Sequence, residues 1–190
     1  NLLLIYNIQM QEPTIRFVIP SVVSSHFHIR DGDIVADFGA GVGNFIPELS
    51  KRAGPDGRVY ACEIQKNLIE TLGNIALKKG NHNVHPLWCD LEQERGIKIP
   101  DGQVDVGVLI NTLSLIEEKD VAIAEIARTL RSGAKLCVID WTESFGGLGP
   151  VPEAVIVAAD AIALFEQHGF TFETDFPAGA HHYGLLCRKN

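Results

Sequence analysis

The sequence predicts an α/β fold: a seven-stranded sheet, doubly wound and mostly parallel, with an antiparallel final strand and helices on both faces. Three observations predict it. Apolar runs alternate with helical patterns from Ile34 to His168, which calls for a parallel sheet covered on both sides. The stretch Val35-Ala36-Asp37-Phe38-Gly39-Ala40-Gly41-Val42-Gly43 passes from a buried strand to a helix through three alternate glycines. The segment from Phe170 onward reads strand–loop–strand, a connection that joins antiparallel partners and not parallel ones.

The elements follow in order. Pro20 to His26 reads as a short helix with proline at its first position. Arg30-Asp31-Gly32-Asp33 is a turn, and Ile34 to Phe38 is the first strand. A helix runs from about Asn44 to Arg52 and is stopped by Gly54-Pro55-Asp56-Gly57. Arg58 to Glu63 is the second strand. Leu68, Ile69, Leu72, Ile75 and Ala76 then share one helical face, and Gly80-Asn81 ends that helix. Val84 to Cys89 and Val104 to Ile110 are the third and fourth strands, separated by a polar loop. Ile123, Ile126, Ala127 and Leu130 mark a helix that Ser132-Gly133 is expected to stop, before a fifth strand from Ala134 to Asp140. Gly146-Gly147-Leu148-Gly149-Pro150 is a break. It is expected to be either a mobile cover, with Val151 to Val157 lining an acceptor pocket, or a plain surface connection. A helix ends at His168-Gly169. Phe170–Phe176 and His182–Cys187 close the chain as a hairpin.

Ligands of open α/β sheets bind beyond the carboxyl ends of the strands. Those ends carry Asp37 with the glycines, then Glu63, Asp90-Leu91, Asn111 and Asp140-Trp141. A dinucleotide fingerprint needs G-x-G-x-x-G, but Asn44 stands where its third small residue belongs. The actual spacing, D-x-G-x-G-x-G, resembles the first motif of class I S-adenosylmethionine (SAM) dependent methyltransferases. SAM lacks a pyrophosphate and carries an ammonium and a sulfonium, so a carboxylate beside the loop suits it. Glu63, 20 residues after Gly43, can accept both hydroxyls of an adenosine ribose, whether in SAM or in NAD.

The likeness extends from about Pro20 to Lys189. The segments VADFGAGVGNF, GRVYACEIQ, CDLE, PDGQVDVGVLINTL, IARTLRSGAKLCVIDW and HYGLLCRK together resemble a small class I SAM-dependent methyltransferase of the ubiquinone/menaquinone-biosynthesis (UbiE-like) group. The resemblance implies the Rossmann-like methyltransferase fold, SAM as cofactor, S-adenosylhomocysteine (SAH) as product and a small-molecule acceptor. It implies a cofactor site made of Asp37, Phe38, Gly39, Ala40, Gly41, Gly43, Asn44, Glu63, Ile64, Asp90, Leu91 and Asn111. In it the glycine loop takes the methionine part, Glu63 the ribose, Ile64 a face of the adenine, Asp90 the adenine amine, and Asn111 sits beside the sulfonium. Leu113-Ser114-Leu115 stands where relatives often carry histidine or aromatic residues, so the acceptor stays open.

A general base is needed only if the acceptor must lose a proton. Asp140, His181 and His182 are the candidates; His181 and His182 read equally well as an exposed loop pair. Two other functions compete with methyl transfer: a non-catalytic SAM-binding regulatory subunit, and an NAD(P)-dependent oxidoreductase. Spacing and the terminal hairpin argue against the second.

Bulk properties narrow the partners. The chain has 190 residues, read as one domain (1–190) with a short N-terminal extension at about 1–19. Its 24 acidic and 16 basic residues leave a formal net charge of −8, which disfavours nucleic acid as partner. The four cysteines lack C-x-x-C spacing, so no metal site is expected and a reduced, cytoplasmic protein is. Leu2-Leu3-Leu4-Ile5-Tyr6 is too short to span a membrane. Nothing in the pattern signals an oligomeric state.

Overall fold

The computed structural model describes residues 17–190; the expected N-terminal extension lies almost wholly outside the described residues. Seven strands form one sheet: β1 (Ile34–Phe38), β2 (Arg58–Glu63), β3 (Val84–Trp88), β4 (Val104–Ile110), β5 (Leu130–Trp141), β6 (Phe170–Pro177) and β7 (His182–Lys189). Their spatial order is β3-β2-β1-β4-β5-β7-β6. The first five pair in parallel, and β7 pairs antiparallel with both β5 and β6. The chain winds outward from β1 to β3, then returns to start the other half at β4. The β1/β4 boundary is therefore the switch point where open α/β sheets bind ligands.

Among the described residues, five α-helices flank the sheet: α1 (Pro20–Val23), α2 (Ile46–Ala53), α3 (Lys66–Lys79), α4 (Lys119–Thr129) and α5 (Ala158–Gln167). Strand residues alternate between two cores. On one face Phe38, Leu109, Leu136 and Val138 pack with Ile123 and Ile126 of α4 and Phe165 of α5. On the other, Val35, Val59, Val108 and Ile139 meet Val23, Leu49 of α2 and Leu72 of α3. The central strands are buried on both sides, which is why their sequences are continuous apolar runs rather than alternating ones.

Two expectations about connections need correction. Ser132-Gly133 does not stop a helix. The α4 helix ends at Thr129, and β5 begins directly at Leu130. The β4–β5 register jumps from Val104↔Leu130 to Val106↔Lys135, and Gly133 supplies the positive φ (76°) that this irregularity requires. The segment after β5 is also better anchored than its glycines suggest. Gly146 and Gly147 both have positive φ (55° and 76°) and form a two-residue turn closed by paired bonds between Phe145 and Leu148. The Phe145 ring stacks on His181 at 3.8 Å. A Cβ at Gly149 would lie 2.6 Å from the Trp141 ring, so only glycine lets the backbone lie on that indole. Val151 and Val157 are exposed, and neither borders the cleft described below.

Candidate cofactor cleft

A cleft of about 430 Å³ opens at the carboxyl ends of β1, β2, β3 and β4. Its floor begins with the glycine loop, which is suspended from β2. The Cys62 carbonyl accepts the Gly39 and Ala40 N–H groups at 3.0 and 2.8 Å. Glu63 Oε2 accepts the Gly41 N–H at 2.9 Å, and its Oε1 accepts the Gln65 N–H at 2.8 Å. One carboxylate thus fixes both the loop and the turn that follows β2.

The three glycines have three different reasons. A Cβ on Gly39 would come within 2.5 Å of Thr112 Oγ1, so this glycine lets β1 and β4 ends approach. A Cβ on Gly43 would lie 2.8 Å from Leu72 Cδ2 and 3.4 Å from Ile75 Cδ1, so this glycine lets α3 pack on the start of α2. A Cβ on Gly41 would meet nothing, and its φ is +54°. Gly41 alone presents bare backbone to the open space. Close helix packing is the role a dinucleotide motif gives its third glycine; here Gly43 fills it one position earlier, and Asn44 is released to line the cleft.

Asp37 is 2% exposed and borders the same space. Burial, reinforced by the charge of Glu63, pushes its pKa up to about 7. Across the cleft, Asp90 Oδ1 accepts the Glu92 N–H at 3.0 Å, and Leu91 and Ile64 add apolar contact. Asn111 follows β4 in the left-handed region (φ 52°), with its N–H bonded to the Ile139 carbonyl at 2.8 Å. Asparagine tolerates that conformation better than most residues. Its buried Oδ1 has no partner among the described residues. Cys62 and Cys89 share the floor; the neighbouring thiol and burial hold Cys62 well above the ordinary thiol value, and the interaction with Cys62 holds Cys89 below it.

Of the residues expected at a cofactor site, Asp37, Gly39, Ala40, Gly41, Asn44, Glu63, Ile64, Asp90, Leu91 and Asn111 border one cleft. Phe38 and Gly43 do not. Phe38 points into the core against Gly107, and Gly43 is turned toward α3. Sequence reasoning missed, among others, Thr112, Leu115, Ile116 and Glu92, which also border the cleft. The four carboxylates of Asp37, Glu63, Asp90 and Glu92 line the cleft, and among the described residues neither lysine nor arginine does.

The acceptor-side candidates stand elsewhere. Asp140 is 1% exposed, and its carboxylate accepts the Ser114 N–H at 3.2 Å and the Trp141 N–H at 2.8 Å. Cross-strand register puts Asp140 beside Tyr183 on one sheet face and Trp141 beside His182 on the other. Burial lowers the pKa of His182; its Nδ1 bonds the Ala180 carbonyl at 2.8 Å and its ring lies 4.1 Å from Trp141. His181, at φ 62°, meets Glu143 Oε1 at 2.7 Å. None of the three borders the cleft.

This sheet order, with its antiparallel last strand and a carboxylate-lined glycine loop at the switch point, defines the class I SAM-dependent methyltransferase fold. A family model described as a methyltransferase domain matches residues 36–138, and the chain belongs to that family. It is 32% identical over 117 residues to the ubiquinone/menaquinone biosynthesis C-methyltransferase UbiE of Burkholderia multivorans, covering 61% of this chain and 46% of that protein. The chain thus spans about half the length of the curated relatives it matches. Among solved structures, a SAM-dependent methyltransferase from Aquifex aeolicus superposes with a TM-score of 0.83 at 27% identity, over 93% of each chain. A type 11 methyltransferase described as putative, from Sulfolobus solfataricus, gives 0.64 at 25% identity over 83% of this chain and 84% of that one. The [4+2]-cyclase SpnF shares the fold alone, with a TM-score of 0.76 at 16% identity, over 90% of this chain and 80% of that one.

Proposed function

We propose that this chain binds SAM in the cleft and transfers its methyl group to a small-molecule acceptor, releasing SAH. The observation that carries the reading is electrostatic and steric together. Bare backbone at Gly41 sits beside Glu63 and the buried Asp37, in a cleft with four carboxylates and, among the described residues, no cationic side chain. Such a lining favours a ligand with an ammonium and a sulfonium and repels a pyrophosphate. The unpartnered Asn111 Oδ1 offers an acceptor for a donor at the methionine end. Glu63, already turned into the cleft, would exchange its loop bonds in part for the ribose hydroxyls. Asp90 would take the adenine amine, between Ile64 and Leu91.

SAM, when bound, supplies an electrophilic methyl carbon. The protein's share is then orientation of the two reactants and exclusion of water. The loop beside Gly41 forms one wall of the cleft, and the Leu113–Ile116 turn contributes Leu115 and Ile116 to another. Asp140, His181 and His182 act in this reading as fasteners of that half rather than as bases. The same reading makes residues 1–190 one domain, acting on small molecules rather than nucleic acid, as its net charge of −8 supports. It places the protein in the reducing cytoplasm, supported by four free, buried cysteines. No described helix is long and apolar enough to cross a membrane.

Calorimetry with SAM, SAH and NAD tests binding. Micromolar SAM and SAH affinity, about −8 kcal/mol, with no NAD heat is the expected result. Heat with NAD and none with SAM overturns the reading. Methyl transfer across an acceptor panel then separates an enzyme from a non-catalytic SAM-binding subunit.

A further inference from the structure

Two walls of the cleft come from segments far apart in the chain. One is the loop after β3, where Asp90, Leu91 and Glu92 border the adenine end. The other is the turn after β4, where Leu115 and Ile116 border the same cleft. Glu92 joins them. Its Oε2 accepts the Glu117 N–H at 2.9 Å and the Glu118 N–H at 2.7 Å, across 25 and 26 positions of sequence. Those amides lie just ahead of the first turn of α4, where the helix dipole favours an anion. No side chain caps α4 locally at Glu118. Glu92 is in turn bound to the adenine-side loop through its own N–H and Asp90 Oδ1, at 3.0 Å.

The same loop is held on α4 a second time, away from the cleft. Arg128 donates to the Ile97 and Ile99 carbonyls at 2.8 and 3.0 Å, and Glu125 Oε2 accepts the Ile97 N–H at 3.4 Å. The rear clamp fixes the loop to the helix. It leaves the front of the loop and the Leu113–Ile116 turn to be aligned by Glu92.

We infer that Glu92 is a positioning residue that locks the adenine-side loop to the Leu113–Ile116 turn, so that ligand contact on the loop also sets the turn. The inference rests on the reading of the cleft as a SAM site. Asp90 contacts the ligand at one end of this linkage. Glu92 carries its position across to Glu117 and Glu118. Leu115, exposed in the wall, is what moves into register.

Hydrogen exchange on the intact chain, with and without SAH, reads this directly. In the wild type, SAH should slow exchange at residues 113–118 by at least about tenfold, a local-opening effect. Glu92→Asp is a methylene too short to reach both amides while held at Asp90, so SAH at a concentration that saturates the variant should leave 113–118 unslowed. Glu92→Gln keeps an acceptor oxygen at full reach and should retain the slowing. Exchange at 97–101, under the rear clamp, should be the same in all three. Absence of SAH binding by the wild type would fail the SAM reading, and its calorimetric signal is separate from exchange. SAH binding with no slowing at 113–118 in the wild type, or full slowing in Glu92→Asp, would overturn the positioning role. A purely structural role for Glu92 predicts faster exchange in Glu92→Asp with the SAH-dependent slowing intact, and so overturns it as well.

Discussion

At the ends of β1, β2 and β3, polar side chains stand in an open cleft. At the ends of β5 and β7, the same residue types are occupied in holding backbone. Asp37 and Asp140 make the contrast plain: both are aspartates near the carboxyl end of a central strand, and both are almost fully buried. Asp140 accepts two backbone N–H groups, which is how buried carboxylates are ordinarily satisfied. Asp37 borders the cleft with Glu63 as its charged neighbour, and its proton is held up to about pH 7. One aspartate is structurally complete. The other faces the open cleft.

The largest test of that difference is the pH dependence of stability without ligand. An acid that holds its proton more tightly when folded than when unfolded destabilises the fold as it ionises. The cost is absent below the unfolded value of 3.8, grows as pH rises, and is complete above about 7. Its order of magnitude is 4 kcal/mol. Asp37→Asn should therefore be more stable than the wild type at pH 8 by up to about that amount, with little difference at pH 4. It should also bind SAM more weakly. Urea melts at both pH values decide it; equal differences at pH 4 and pH 8 break the comparison.

Next in size, Glu63→Ala should weaken SAH binding by about 3 kcal/mol, roughly a hundredfold, through loss of charge-assisted acceptors. Calorimetry measures it, and unchanged affinity in a folded variant would take Glu63 out of the site. Asp140→Asn should do the reverse. Its amide can satisfy only part of what the carboxylate does, so stability should fall by about 2 kcal/mol. SAH affinity should stay within about threefold, an effect below 1 kcal/mol. A large affinity loss with an unchanged melting temperature would move Asp140 into the cleft. The smallest effect is expected at His181→Ala. Its pairing with Glu143 and stacking on Phe145 lie near the surface, worth below about 1 kcal/mol. Thermal melts should register little, and SAH binding nothing.

The cofactor half was readable from sequence because its signals are local. A strand, three alternate glycines and an acid at the next strand end are consecutive features whose spacing reflects one turn and one fold rule. The region where β5 meets β7 was not, because its logic lies in register. Whether Asp140 shares a face with Tyr183 or with His182 depends on how β5 and β7 align, and a shift of one residue reverses the answer. Gly43 shows the limit within the motif itself. Its spacing suggested a cofactor contact, but its partners are Leu72 and Ile75, about thirty positions away. Glu92 left no local trace, since its partners are amides 25 positions on. The start of β5 was misplaced because Ser132-Gly133 carries a helix-stop signal, while the residues actually serve a bulge.

The placement of β7 between β5 and β6 has a consequence for synthesis. Within the sheet, β6 meets nothing except β7, which is made after it. A nascent chain that has emerged only through β6 therefore holds a bare β5 edge and a strand without a neighbour, both of which recruit other chains. β1 through β4, with the glycine loop, can already be paired at that stage. Lys189, at the far end of β7, then ties to the Ala127 and Leu130 carbonyls where α4 meets β5. Completion of the sheet waits on its seventh strand, and a ribosome paused before β7 would expose the edges most prone to aggregation.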